Sequence, residues 1–273
     1  MKTMLLFGWA LLAVVLRATP PAAGPVPAYG DDPAAGHTAT LNGIHLYYEI
    51  YGSGAPLLVL HGNGGSIAAL QHQIDFFRSR RQVIAIDSRG HGHSEMGAGR
   101  LTFEQMADDV AALLAQLHAA PADVLGWSDG GIVALLLALR HPAAVHRIAF
   151  SGANLTPQAL APDDLAGMTA ELRTAQEQLA AGDHSRPWAT VCQQLQLMVT
   201  QPQITAADLA RITAPALVLA GEHDLIPEAH TRSIAAGLPH ARLHFFPGAG
   251  HAALQEVPDT FNATVEQFFS TTP

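Results

Sequence analysis

The chain has 273 residues, 49% of them hydrophobic, with 14 Lys and Arg against 23 Asp and Glu for a formal net charge of −9. This supports one large globular domain with a sizeable core, and it argues against a disordered chain and against a nucleic-acid partner, whose phosphates are bound by clustered cations. The only lysine is Lys2 and the only cysteine Cys192, which excludes lysine Schiff-base enzymes, P-loop NTPases, a disulfide framework and Cys-rich zinc sites, and leaves Cys192 as a buried small hydrophobe.

In chain order, residues 1–36 stand apart. Lys2 is followed by the uncharged, mostly apolar run Met4–Leu16, then Arg17 and an Ala/Pro/Gly-rich tract to Gly36. The run is short for a transmembrane helix and has the length of a signal-peptide h-region, with small residues at Ala18, Ala23 and Ala28 as possible cleavage points. The expectation is an exported protein, periplasmic or secreted, with a spacer after the leader and no membrane span in the mature chain. An uncleaved leader would instead leave it membrane-anchored or cytoplasmic.

Residues 37–273 read as the folded domain. Thr38–Leu41 and Ile44–Tyr51 flank Asn42-Gly43, a hairpin signal. Leu57–Leu60 is a buried strand, Ser66 can cap a helix running to about Arg80, and Gln82–Asp87 is again a strand. Thr102 and Gln105 form a capping-box pattern ahead of Met106, Val110, Leu113, Leu114 and Leu117 on one helical face. Further short strands are expected at Val124–Trp127, His146–Ser151, Ala216–Ala220 and Leu243–Phe246, with helices at Gly130–His141, Glu228–Ala236 and Glu256–Ser270. Residues 156–212 are polar and helical in tendency, without a clear strand, and read as an insertion over the sheet. The fold class is α/β: a mainly parallel sheet covered by helices on both faces, with an antiparallel edge and a small helical cap.

In such sheets ligands bind at the carboxyl ends of the strands. Val124–Trp127 runs into Gly126-Trp127-Ser128-Asp129-Gly130 and then an apolar helix, the strand–turn–helix setting of a nucleophile elbow. The helix start behind Ser128 supplies free N–H groups for a developing oxyanion. Leu57–Leu60 ends in His61-Gly62-Asn63-Gly64-Gly65, where the N–H of Asn63, or alternatively of Gly64, is a second oxyanion donor beside that of Asp129. Ala216–Ala220 ends in Gly221-Glu222-His223-Asp224, and Leu243–Phe246 is followed by Pro247-Gly248-Ala249-Gly250-His251. Ser128, Asp224 and His251 thus follow the chain order of a catalytic triad on this architecture. Glu222 is the competing acid; Asn154, after the strand ending at Ser151, stands where such sheets also carry the acid but cannot ionise. His61, His91 and His93 are read as structural, and Asp87 with Arg89 as a loop-bracing ion pair.

With HGNGG, DSRGHGHS, GWSDGG, GEHD and GAGH in order, residues 40–270 resemble the α/β-hydrolase superfamily. GWSDGGI together with Ser151–Asn154 (SGAN) locally resembles its biphenyl hydrolase-like branch, the one that includes valacyclovir hydrolase. The resemblance implies hydrolysis of small esters, amino acid esters among them, with the Asp129 carboxylate as a substrate-binding group for an α-ammonium. The expected function is a serine hydrolase that cleaves small carboxylic esters through an acyl-enzyme, needing neither cofactor nor metal. The alternatives are a lactone or C–C bond hydrolase or a perhydrolase on the same triad, or a non-catalytic ligand receptor of this fold. A serine at the elbow disfavours dehalogenase and epoxide hydrolase chemistry, which places a carboxylate there.

Overall fold

Asn42 and Gly43 take the positive φ values (45° and 76°) that a two-residue hairpin needs, and they fold β1 (Gly36–Leu41) antiparallel onto β2 (Ile44–Tyr51). In the computed structural model, which describes residues 28–271, this hairpin is one edge of an eight-stranded sheet. Residues 1–27, with the expected leader and most of the spacer, lie outside the described residues. The sheet continues with β3 (Pro56–Leu60), β4 (Gln82–Ile86), β5 (Ala122–Trp127), β6 (Val145–Ser151), β7 (Ala216–Gly221) and β8 (Ala241–Phe246). The order is β1-β2-β4-β3-β5-β6-β7-β8; β2 meets both neighbours antiparallel, and every pairing from β4 to β8 is parallel. All the expected strands are present.

The helices are α1 (Gln71–Phe77), α2 (Phe103–Gln116), α3 (Asp129–Arg140), α4 (Pro162–Ala180), α5 (Trp188–Thr200), α6 (Ala206–Leu209), α7 (Glu228–Gly237), α8 (Ala253–Glu256) and α9 (Pro258–Ser270). Side chains alternate along the parallel strands and feed two core layers. Leu58 and Leu60 join Met106, Leu113, Ile132 and Ile234 on one side; Leu57 and Val59 join Ile74, Phe77, Phe261 and Val265 on the other. The register sets Leu60 beside Gly126, Trp127 beside Ser151, Ser151 beside Leu219 and Gly221 beside Phe246, so the carboxyl ends of five strands lie along one edge.

Several local expectations are corrected. The helix after Ser66 begins as a 3₁₀ turn, Ile67–Leu70, and Ser66 makes no side-chain cap; the fully buried Asp87 accepts the Ile67 N–H instead, at 2.8 Å. Asp87 therefore does not pair with Arg89. Its other oxygen takes the His93 N–H at 2.8 Å, while Arg89 forks onto the buried Asp109 of α2 at 2.7 and 2.8 Å. A bidentate guanidinium–carboxylate pair offers Arg89 two aligned bonds, and Asp87 already has donors of its own. Cys192, on α5, is half-buried rather than core. Thr102 does cap α2, accepting the Gln105 N–H at 3.1 Å. Within residues 156–212, α4 and α5 pack on each other, whereas α6 packs against α3 and α7 on the flank of the body.

The packed domain also starts earlier than His37. Tyr29 is buried with its ring edge-on to Tyr51, centroids 5.1 Å apart, and its hydroxyl bonds Asp75. Glu49, fully buried on β2, accepts the N–H groups of Gly30 (2.8 Å) and Asp32 (3.0 Å) and the hydroxyls of Tyr47 (2.9 Å) and Tyr51 (2.8 Å). Four donors replace the water that this carboxylate gives up. Glu49→Ala leaves all four donors without their acceptor and should lower the unfolding free energy by about 3 kcal/mol, read from the urea midpoint. An unchanged midpoint would mean that residues 28–36 contribute nothing to the fold.

Candidate active site

Ser128 joins β5 to α3 with φ 55° and ψ −118°, a backbone conformation that L-residues avoid and that persists only where the surroundings enforce it. The turn brings the start of α3 hard against β3 and β5. A Cβ on Gly126 would collide with the Gly130 carbonyl, and one on Gly130 with the Leu60 carbonyl, so the glycines two residues either side of Ser128 are steric requirements. The Ser128 N–H donates to the Ser151 carbonyl of β6 at 2.8 Å, tying the elbow to the next strand.

The loops after β7 and β8 bring their side chains to this elbow. His251 Nε2 stands 3.0 Å from Ser128 Oγ, and His251 Nδ1 2.7 Å from Asp224 Oδ1. A carboxylate only accepts, so Nδ1 carries the proton and Nε2 is left to accept from the serine. Asp224, whose side chain is almost wholly buried, also takes the Ile226 N–H at 2.9 Å, which fixes its rotamer. Trp127 Nε1 donates to the His251 carbonyl at 2.9 Å and holds the histidine loop in place. Gly152 has φ 70°, and a Cβ there would press on the His251 ring. Glu222 faces away: it accepts the Gly248 N–H at 2.8 Å on the surface. Asn154 donates to the Thr156 carbonyl at 2.9 Å and lines the cavity.

Opposite His251, the loop after β3 passes close to Ser128: a Cβ on Gly62 would lie 3.1 Å from the serine Cβ. Among the described residues, neither the N–H of Asn63 nor that of Asp129 meets a hydrogen-bond acceptor. His61 and His91 brace this region. His61 Nε2 accepts the Ser88 N–H at 3.1 Å, which leaves Nδ1 as the donor to the Gly62 carbonyl at 2.7 Å. Burial pushes both imidazoles down to about 4, so they stay neutral. His93 instead sits exposed against Asp31 at 2.7 Å.

Ser128, Asp129 and His251 line a cavity of about 320 Å³ roofed by Met168 and Glu171 of α4 and by Leu195 and Met198 of α5. Phe103, Ile132, Leu160 and Ile226 make most of the remaining wall apolar. These roof and wall residues were not singled out from sequence; they belong to no motif, and only their place under the cap identifies them. Among the described residues, no Arg or Lys lines the cavity. Asp129 is 8% exposed, and loss of water raises its carboxyl from the ordinary 3.8 to about 6, against the opposing pull of the Asn63 amide and His251. Among the described residues no cluster of three or more His, Cys, Asp or Glu could hold a metal ion. No helix among them is long and apolar enough to cross a membrane.

A family model described as alpha/beta hydrolase fold matches residues 55–203. Serine hydrolase BPHL of Homo sapiens is 30% identical over 91% of this chain and 90% of its own length. 3-oxoadipate enol-lactonase 2 of Acinetobacter baylyi is 27% identical over 84% of this chain and 94% of its own. Among solved structures, a hydrolase from Pseudomonas aeruginosa PA01 superposes with a TM-score of 0.72 at 27% identity, covering 86% of this chain and 98% of that one.

The Asp129 carboxyl carries a stability cost with a defined pH range. Above about pH 6 the folded chain holds this carboxylate ionised with little water around it; below the ordinary 3.8 both folded and unfolded forms are protonated and the cost disappears. Asp129→Asn should therefore raise the Tm at pH 8 by on the order of 5 °C, equivalent to about 2 kcal/mol, and leave it unchanged near pH 4. Equal shifts at both pH values would show that ionisation of Asp129 is not the source.

Proposed function

The chain belongs to the α/β-hydrolase family, a family of hydrolases, and from that premise we propose that it is a serine hydrolase of small carboxylic esters, with Ser128, His251 and Asp224 as its catalytic triad. The observation that carries this reading is the unbroken hydrogen-bond chain from Ser128 Oγ through His251 to Asp224, at 3.0 and 2.7 Å.

Ser128 Oγ attacks the ester carbonyl while its proton passes to His251 Nε2. Asp224 keeps the other imidazole nitrogen protonated and steadies the imidazolium. The carbonyl oxygen, now an oxyanion, is met by the N–H groups of Asn63 and Asp129, each worth on the order of 3 kcal/mol at the transition state. Collapse of the tetrahedral intermediate breaks the C–O bond, and the leaving alcohol takes the proton from His251. A water, deprotonated by the same imidazole, then attacks the acyl-enzyme and regenerates Ser128. A lactone is an internal ester and suits the same steps; the similarity to an enol-lactonase favours it as the second reading.

The cavity supports a substrate preference. Its apolar wall accepts a small aliphatic acyl group, and its lining contains a desolvated carboxylate and, among the described residues, no Arg or Lys. An α-ammonium beside the reacting carbonyl would compensate the lost hydration of Asp129. The reading is therefore an esterase that prefers α-amino acyl esters. Cleavage of the expected N-terminal leader would further make the protein an exported one; uncleaved, it would leave the protein membrane-anchored or cytoplasmic.

Two measurements test these readings. Ser128→Ala should retain the fold and lower kcat for p-nitrophenyl acetate by roughly 10³-fold or more; a folded variant with a tenth of the wild-type kcat would remove Ser128 as nucleophile. A valine ester should be hydrolysed with higher kcat/KM than the matching isovalerate ester, which lacks only the amine. That advantage should rise with pH through about 6 as Asp129 loses its proton, and fall again near about pH 8 as the substrate amine does. Asp129→Asn should erase it. Equal losses on both esters would confine Asp129 to supporting the elbow.

A further inference from the structure

The side chain of Asn63 joins two parts of the molecule that are otherwise separate. Its Nδ2 lies 2.8 Å from Asp129 Oδ2 and 3.3 Å from the backbone carbonyl of Gln194 on α5. A backbone carbonyl and an ionised Asp129 can only accept, so in that state the NH₂ end of the amide faces them and both of its protons are engaged. The loop after β3 is thereby tied at one atom to the cavity carboxylate and to the cap.

The character of the other cap attachments makes this one distinctive. α5 has no charged residue in its sequence WATVCQQLQLMVT. The body holds it through Arg100 on the Thr200 hydroxyl and through neutral amides: Gln194 Nε2 on the Gly90 carbonyl at 2.9 Å, Gln193 Nε2 on the Gly99 carbonyl at 3.3 Å, and Gln193 Oε1 accepting the Leu101 N–H at 3.2 Å. Among the described residues, Asn63 alone connects α5 to a carboxylate outside the cap; within the cap, Trp188 Nε1 donates to Asp183 Oδ2 at 2.9 Å. An N–H bond to an ionised acceptor is roughly twice as strong as one to a neutral acceptor, so the bond that orients the Asn63 amide toward the Gln194 carbonyl of α5 changes strength when Asp129 changes charge.

We propose that Asn63 is a positioning residue that couples the seating of the cap to the charge of Asp129. With Asp129 ionised, the amide is clamped between the carboxylate and α5, the cap is seated, and Asp129 Oδ1, which has no protein partner among the described residues, is the oxygen left for a ligand cation. With Asp129 neutral the clamp weakens, and the cap is held by its neutral amides and Arg100. Besides the Asn63 amide, His251 from the loop after β8 favours the ionised form of Asp129, and Glu171 of α4 is the other carboxyl that lines the cavity. The consequence for substrates rests on the α-amino ester reading; the coupling itself does not.

The test uses the carboxyl carbon resonance of Asp129, assigned by its absence in Asp129→Asn, together with amide hydrogen exchange in α5 corrected for the intrinsic pH dependence. In the wild type, protection of α5 should fall as Asp129 takes up its proton. In Asn63→Leu the Asp129 midpoint should rise by about one unit, because the bond to its charged form is gone, and α5 protection should be low and no longer follow that titration. Asn63→Gln, which keeps the NH₂, should restore part of both. The proposal is overturned if the Asp129 midpoint stays put in folded Asn63→Leu, or if wild-type α5 protection ignores the Asp129 titration, a measurement that needs no variant. If both NMR results appear while the wild type shows no preference for the valine ester, the coupling stands and the substrate reading falls.

Discussion

How closely α3 can approach β3 and β5 decides whether there is a site at all. The approach is permitted by the missing Cβ atoms of Gly126 and Gly130 and results in the strained φ of Ser128. A normal turn would let the serine lie along the helix surface. The strained one lifts it out at the carboxyl edge of the sheet, with the first free N–H of α3 beside it. The loops after β7 and β8 then need only be short and well anchored to bring Asp224 and His251 within hydrogen-bond reach. Strain at the elbow is sustained by the parallel strands on either side, which are buried on both faces and do not yield.

Two charged groups illustrate opposite uses of burial. Glu49 is fully buried and surrounded by four donors, so its charge is absorbed by the fold. Asp129 is buried almost as deeply but has one amide and an apolar cavity, and its carboxyl is pushed up to about 6. A protein that retains such a poorly compensated carboxylate beside Ser128 sacrifices stability at the wall of its cavity.

The sheet and the meeting of Ser128, His251 and Asp224 were legible because each depends on local pattern: apolar runs of strand length, and Ser, Asp and His at the carboxyl ends of separate strands. The bracing was less legible. Asp87 and Arg89 are two residues apart and of opposite charge, yet in three dimensions Asp109, twenty positions on, presents the better fork, and Asp87 is claimed by backbone N–H groups. The role of Tyr29 was hidden inside an Ala/Pro/Gly-rich tract whose composition says spacer; only the Glu49 donors betray that it is packed. The cavity roof could not be read because helices of a cap are selected by what they cover, and no periodicity in α4 or α5 names Glu171 or Met198 as facing the site.

The placement of the indoles has a spectroscopic consequence. Trp9 lies outside the described residues; of the two remaining tryptophans, Trp127 bonds the His251 carbonyl and lines the cavity, and Trp188 opens α5 with its ring under Arg186, 5.1 Å from the guanidinium carbon. Trp188 stands apart from the two core layers on the sheet, whereas Trp127, at the end of β5, borders the one that contains Phe77, Phe261 and Val265. Were the leader removed, the tryptophan emission of the protein would come from the carboxyl end of β5 and from the cap. Ligand entry and cap movement would then be visible in unlabelled protein, while rearrangements of the core layer that neither indole borders would pass almost unseen.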